Sequence, residues 1–347
     1  MNILIRADAS LQIGTGHVMR CLTLADALRL GGCGVSFISR ECPGSLCDWL
    51  EEKGYAVKRI SEPAEGEIEA AARILSEADK PVDWLVTDHY GLDARWEEAM
   101  RGLVRRMMVI DDLANRPHDC DVLLNQNLLH PAMARRYEQL TPARCIRLLG
   151  PEYALLRQQF TAERRNSRYR TRDGRIGRIL LFFGGTDWTN ETAKALQAVR
   201  PLLDARPGVN VDVVVGQANP HREHIYGLCR AMPGATCHTQ LDNMAECMAQ
   251  ADLFLGAAGS TTWERWCMRL PGILIAVAGN QIATAQMAQS AGVDMYLGMS
   301  EDVTPEAIAL ALDRAFHHPD ALLNAGAIAG EYVDGQGAAR VAAVLRR

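Results

Sequence analysis

Residues 252–277 read DLFLGAAGSTTWERWCMRLPGILIAV. An apolar run at 252–255 enters a turn rich in glycine and hydroxyl residues, a helix over 261–269 follows, and a second apolar run fills 273–277. Strand, helix and strand in that order build a parallel sheet with helices on its faces. The alternation continues in both directions, with strands at 178–183 and 211–215 and helices at 190–199, 243–251 and 282–290. The first half repeats it with strands at 2–5, 34–39, 84–87, 107–110 and 122–124. Its first helix, 17–30, carries Val18, Cys21, Leu22, Ala25 and Leu28 on one face. The expected fold class is α/β, with two Rossmann-like domains built on parallel sheets.

A length of 347 residues fits about two domains. Hydrophobic residues at 48% and charged residues at 23% are ordinary for a globular chain and exclude disorder as the main state. Lys and Arg number 37 against 42 Asp and Glu, a net charge of −5, which argues against a nucleic-acid-coating protein. No apolar run reaches the ~18 residues of a membrane span. Arg6 and Asp8 occupy the place where a signal peptide would be apolar. The ten cysteines form no C-x-x-C pair and read as reduced, mostly buried thiols of a cytoplasmic protein. The stretch 163–178, ERRNSRYRTRDGRIGR, holds arginine at 164, 165, 168, 170, 172, 175 and 178. It reads as an exposed connection kept soluble by charge, the alternative being an anion-binding or membrane-surface patch. The expected division is a first domain at 1–160, an Arg-rich connection at 161–177 and a second domain at 178–347, with the last helix able to pack on either.

Ligands of open parallel sheets bind beyond the carboxyl ends of the strands. The first strand leads through Asp8 to Gly14, Gly16 and His17; later ones end at Asp88 to Tyr90, at Asp111 and Asp112, and at Asn125 to Asn127. In the second half the corresponding ends hold Gly184, Gly185, Thr186 and Asp187, then Gly256 to Thr262, then Gly279, Asn280 and Gln281. A ligand in a cleft between two facing sheets would explain polar groups at so many strand ends. Ser260 and Thr261 open a helix, where free N–H groups and the dipole favour phosphate, and Glu264 lies one turn on. That suits a pyrophosphate followed by a ribose diol; plain N-capping by Ser260 or Thr261 is the competing reading, evenly balanced on this segment alone. The companion turns at Gly184–Gly185 and Gly14–Gly16 favour a nucleoside diphosphate. The first loop has Met19 where the dinucleotide fingerprint needs its third glycine, and no P-loop is present, so NAD and ATP fit poorly. His17 sits at a helix N-terminus, whose positive end favours the neutral imidazole a general base requires; otherwise it only shapes the glycine loop. His221 with His224, and Asp119 with Asp121, lack the context of a metal site and read as solvated surface. No metal and no cofactor are expected.

Six blocks carry a resemblance: RADASLQIGTGHVMRCLTLADAL (6–28), TDHYGLDARWE (87–97), VIDDLANRPHDCDVLLNQN (109–127), GPEYALLRQQF (150–160), FFGGTDWTN (182–190) and GSTTWERWCMRLPGILIAVAGNQ (259–281). Together, in this order, they resemble the UDP-sugar hydrolases of pseudaminic acid biosynthesis (PseG), relatives of the MurG-type glycosyltransferases. The resemblance implies a two-domain GT-B fold with the nucleotide held mainly by the C-terminal domain. It implies hydrolysis of UDP-2,4-diacetamido-2,4,6-trideoxy-β-L-altropyranose to UDP and the free sugar, serving flagellin glycosylation or a surface polysaccharide. The family histidine that activates water maps onto His17. The chain departs from the pattern at Trp188, where proline is common, and at Gly279, where an acidic residue often stands.

The expected site is then His17 as base, with Gly184, Gly185, Ser260, Thr261 and Glu264 on UDP. Asp8, Gly14, Gly16, Arg20, Tyr90, Asn280 and Gln281 fall on the sugar or loop side. UDP is a good leaving group, so one base and one phosphate cradle suffice without a second carboxylic acid. Water attacking opposite UDP would invert the anomeric centre. The rival readings are a glycosyltransferase of the same fold moving a UDP-amino-sugar to another acceptor, and a non-catalytic nucleotide-sugar-binding protein. The partner expected is the small-molecule UDP-sugar alone, with no nucleic acid and no obligate protein partner.

Overall fold

The structure is a computed structural model that describes residues 1–61, 66–166, 172–239, 241 and 243–347. Its chain forms two compact units: 1–157 with 336–347, and 158–335.

The first unit is a seven-stranded sheet in the order β3-β2-β1-β4-β5-β6-β7. The strands are β1 Asn2–Ala7, β2 Gly34–Arg40, β3 Ala56–Ile60, β4 Val82–Asp88, β5 Val104–Ile110, β6 Val122–Asn125 and β7 Ile146–Leu149. Every pairing is parallel. Central strands bury both faces and therefore read as unbroken apolar runs, as in Ile3 to Ile5 and Leu85 to Val86. The strand order reverses between β1 and β4, where Ala7 lies opposite Asp88. Such a reversal leaves a crevice at the carboxyl ends, because the following helices go to opposite faces.

The second unit repeats the design in six strands, β8 Arg178–Phe182, β9 Asn210–Val215, β10 Ala235–Thr239, β11 Leu253–Ala257, β12 Gly272–Ala276 and β13 Asp294–Met299. Their order is β10-β9-β8-β11-β12-β13, all parallel, with the reversal between β8 and β11. Both units are α/β with Rossmann-like parallel sheets.

Two features revise the sequence-based division. The last helix, Gly337–Leu345, belongs to the first unit, so the second spans 158–335 rather than 178–347. Val341, Ala342 and Leu345 join the core that contains Leu24 and Leu28, and Arg340 Nη1 donates to the Glu152 carbonyl at 2.8 Å. Gly337 is required at its start, since a Cβ there would stand 2.3 Å from the Ala154 carbonyl oxygen.

The Arg-rich stretch is also not simply an exposed connection. Arg164, on the helix Gln158–Arg165, donates to the carbonyls of Cys267, Gly330 and Val333 at 2.6–2.9 Å. Arg172 donates to those of Met248, Ala251 and Met268 at 2.7–2.8 Å. Carbonyls at helix C-termini lack partners within the helix and carry the negative end of its dipole, so guanidinium groups bind there. Arg168 and Arg170 lie outside the described residues.

Asp119 and Asp121 are likewise not free surface charges: Arg101 binds both, at 3.0 and 2.7 Å. All ten cysteines are free thiols. Among the described residues no helix is long and apolar enough to cross a membrane.

Beneath the β4–β5 face, the buried His118 donates from Nδ1 to Glu97 Oε1 at 2.7 Å, while its Nε2 lies 3.7 Å from Asp111 Oδ1. Burial alone would lower this imidazole, but the Asp111 and Glu97 carboxylates outweigh it and raise it to about 9. The stability so gained is fully present below about pH 6.5 and is lost as pH rises through 9. Its full size is on the order of 3 kcal/mol. Urea midpoints are expected to fall between pH 6.5 and 9.5 in the wild-type chain and to fall less in His118→Gln; equal slopes would refute the assignment.

Candidate active site

In the first unit the chain leaves β1 through a tight turn. Ser10 Oγ accepts from the backbone N–H groups of Gln12 and Ile13 at 3.2 and 3.1 Å, and Gly14 N–H donates to the Ser10 carbonyl at 2.9 Å. Gly14 has φ +73°, a conformation that glycine adopts without steric cost. The turn delivers Gly16 as the first residue of the helix Gly16–Leu30 and His17 as the second.

His17 Nδ1 lies 2.6 Å from Asp88 Oδ1, where β4 ends. Burial alone would raise the Asp88 carboxyl, but the Arg20 charge and the hydrogen bonds from Arg20 and His17 hold it well below the usual carboxylate range. Asp88 is therefore ionised and accepts only, which assigns the imidazole proton to Nδ1. Nε2, which carries the lone pair whenever the ring is neutral, has no hydrogen-bond partner among the described residues and is not a buried orphan. An imidazole oriented through one nitrogen, with the other open, is the arrangement of a general base.

The surroundings fix this geometry further. Arg20 donates to Asp88 from Nε and Nη2, both at 2.6 Å, and from Nη1 to Asp112 Oδ2 at 3.1 Å. Tyr90 sets its ring edge-on to the imidazole, 4.6 Å between centroids, and its hydroxyl donates to Asp112 Oδ2 at 3.3 Å. Burial and the nearby Asp112 push that hydroxyl up, so it stays protonated. Asp8 is enclosed by Arg6, the Arg40 backbone N–H at 2.7 Å and His89 Nε2 at 3.4 Å. Burial alone would raise its carboxyl; the hydrogen bonds from His89 and Arg6, with the Arg6 charge, hold it well below the usual range.

The second unit assembles the other expected residues. Gly184, φ +96°, and Gly185 follow β8. A Cβ at Gly216 would stand 2.0 Å from the Gly185 carbonyl oxygen, and one at Gly256 2.0 Å from that of Phe182, so backbones cross in contact at these strand ends. Asp187 accepts from the backbone N–H groups of Glu191 and Thr192 at 2.9 and 3.0 Å, capping the helix Glu191–Ala205.

After β11, Ser260 takes the N-cap position of the helix Thr261–Cys267, but its hydroxyl makes no capping bond and is exposed. Glu264 is half-buried one turn further. The short helix is anchored from behind: Arg265 donates twice to Asp294 at 2.7 and 2.6 Å, and the Trp266 indole N–H donates to the same carboxylate at 2.9 Å. Gln281 Oε1 accepts from Val277 N–H at 3.0 Å, and Gly279 and Asn280 are exposed in the first turn of the helix Gly279–Ser290. Trp188 is 72% exposed.

Asp8, Gly14, Gly16, His17, Arg20 and Tyr90 thus gather at the carboxyl ends of the first sheet. Gly184, Gly185, Ser260, Thr261, Glu264, Asn280 and Gln281 do so on the second. Sequence reasoning placed Asp88 and Asp112 at strand ends and gave neither a role; Arg265 and Asp294 it did not single out. The available signal for Asp88 was a carboxylate ending a central strand.

Residues 179–338 match the glycosyltransferase family 28 C-terminal domain. The chain shares its fold with the crystal structure of Acinetobacter baumannii MurG at a TM-score of 0.68, with 16% identity and 99% of each chain covered. Fold and domain match define the class, an enzyme of GT-B architecture. In sequence the chain is similar to the UDP-2,4-diacetamido-2,4,6-trideoxy-beta-L-altropyranose hydrolase of Campylobacter jejuni subsp. jejuni serotype O:2, 27% identical over 295 residues, 85% of this chain and 98% of that protein. It is also similar to the spore coat polysaccharide biosynthesis protein SpsG of Bacillus subtilis, 27% identical over 350 residues, 100% of this chain and 98% of that protein. The resemblance carried by the sequence blocks is borne out.

Proposed function

We propose that this chain is a cytoplasmic UDP-sugar hydrolase that cleaves UDP-2,4-diacetamido-2,4,6-trideoxy-β-L-altropyranose to UDP and the free sugar, in pseudaminic acid biosynthesis. The observation that carries the reading is the His17–Asp88 contact of 2.6 Å, which leaves Nε2 open for a water proton. The similarity to the Campylobacter hydrolase supports this choice of substrate. Water oxygen forms the new bond to the anomeric carbon as the bond from that carbon to the phosphate oxygen breaks. His17 Nε2 takes the water proton, and UDP leaves with the electron pair. Gly184, Gly185, Ser260 and Thr261 are assigned to the diphosphate and Glu264 to the ribose. Asp8, Gly14, Gly16, Tyr90, Asn280 and Gln281 are assigned to shaping the sugar side.

The test is UDP release from the altrose-type UDP-sugar and from UDP-GlcNAc, with and without EDTA and with no acceptor. Release from the first alone, insensitive to EDTA and with the opposite anomeric configuration in the initial product, is expected. Retained configuration would overturn the single displacement. The family 28 domain match favours a second reading, transfer of a UDP-amino-sugar to an acceptor other than water. Binding of UDP without release from either substrate would favour that reading.

A further inference from the structure

The hydrolase reading uses His17 and Asp88 and leaves two neighbouring groups, Arg20 and Asp112, without a role. Arg20 commits all three nitrogens of its guanidinium, to Asp88 at 2.6 Å twice and to Asp112 at 3.1 Å, and Nη2 also lies 3.3 Å from His17 Nδ1. A group so engaged is poorly placed to reach a sugar. Asp112 accepts from Arg20 and Tyr90 on Oδ2 alone; its Oδ1 is buried and has no hydrogen-bond partner. A buried carboxylate oxygen without a donor is costly, and its presence beside an active-site base asks for a reason.

Charge supplies one. Two bonds from Arg20 neutralise Asp88, so Asp88 by itself is a weak counter-charge for an imidazolium. With His17 neutral, the set His17, Asp88, Arg20 and Asp112 carries one excess negative charge, that of Asp112. When His17 gains a proton the set becomes balanced. We infer that Arg20 and Asp112 are positioning residues for His17: they complete a chain of alternating charges that holds the imidazole with Nε2 open and offsets the positive charge it acquires on taking a proton from water. Tyr90 closes the chain, its hydroxyl on Asp112 and its ring against the imidazole.

The other titratable groups nearby do not supply this charge. Cys21 Sγ donates to Asp88 Oδ2 at 3.6 Å and its thiol is pushed well up by burial, so it stays neutral. Asp8 is paired with Arg6 and lies 3.4 Å from His89.

The inference rests on the hydrolase reading for its chemistry, but its test has a readout that needs no substrate. The titration midpoint of the His17 imidazole is measured by NMR in the full chain, alongside the pH profile of kcat/KM for UDP release. Removing the negative charge in Asp112→Asn is expected to move the midpoint and the acid limb to lower pH by roughly half a unit or more. Removing the positive charge in Arg20→Gln is expected to move both to higher pH. Arg20→Lys, which keeps the charge and loses the two-point grip, should leave the midpoint near wild type and lower kcat with little change in KM.

A structural role alone would lower activity in all three without opposite shifts. A folded Asp112→Asn chain with an unmoved midpoint overturns the inference, as does a shift of Asp112→Asn and Arg20→Gln in the same direction. If Arg20→Gln does not fold, Asp112→Asn decides alone. Opposite NMR shifts in a protein that releases no UDP would keep the charge chain and remove the hydrolase reading. Release of UDP that depends on His17, with unmoved midpoints, would do the reverse.

Discussion

His17→Ala is expected to lower kcat for UDP release by about 10²–10⁴, the range that a general base contributes. The magnitude follows from the geometry. Water is a weak nucleophile at neutral pH, and Nε2 is the open lone pair on an imidazole whose other nitrogen is fixed 2.6 Å from a buried carboxylate. The carboxylates of Asp88 and Asp8 are engaged and do not replace it: Asp88 stays bound by Arg20, and Asp8 stays bound by Arg6. KM should change little, since the diphosphate and ribose contacts are assigned to the second unit. The fold should also persist, because Asp88 keeps its Arg20 partner. Steady-state kinetics with circular dichroism checks both points, and a large rise in KM at unchanged kcat would contradict the base assignment.

Asp88→Asn is expected to cost about 10²-fold or more in kcat through the imidazole tautomer. The carboxylate only accepts, so it holds the proton on Nδ1; an amide can donate to Nδ1 instead, which moves the proton to Nε2 and removes the lone pair that faces water. The same change takes from Arg20 the partner it binds twice at 2.6 Å, leaving Asp112 as its remaining carboxylate. Breaking a buried pair in this way costs on the order of 3 kcal/mol or more. Kinetics and urea unfolding measure the two losses separately, and nitrogen chemical shifts of His17 report the tautomer. If the two residues act as a unit, Asp88→Asn adds little further loss of activity in a His17→Ala background. A full multiplicative loss would mean that Asp88 acts independently of the histidine.

The parts of the fold that were legible beforehand share a physical property. Each strand recognised from its apolar run lies inside a sheet, with both faces covered. The four not recognised, β3, β7, β10 and β13, are the edge strands of the two sheets. An edge strand has one neighbour and partly exposed faces, so its sequence mixes charge and polarity: Ala-Val-Lys-Arg-Ile in β3, Ile-Arg-Leu-Leu in β7 and Ala-Thr-Cys-His-Thr in β10. Burial on both faces writes a continuous pattern, and burial on part of one does not.

The sequence by itself determined the α/β alternation, the glycine turns at strand ends and the place of His17 in the first turn of a helix. All of these depend on residues within a few positions of one another, where backbone conformation and burial period act. The tertiary structure alone decided what His17 meets. Asp88 is 71 residues away in the chain, and Arg20 reaches Asp112 across 92. They come together because β4 pairs with β1 at the point where the strand order reverses, setting Ala7 opposite Asp88. The same holds for the last helix, which joins the core of the first unit, and for Arg164 and Arg172, which bind distant helix ends. A charge in the sequence does not name a distant partner; the pairing of strands and the packing of helices bring that partner into hydrogen-bond reach.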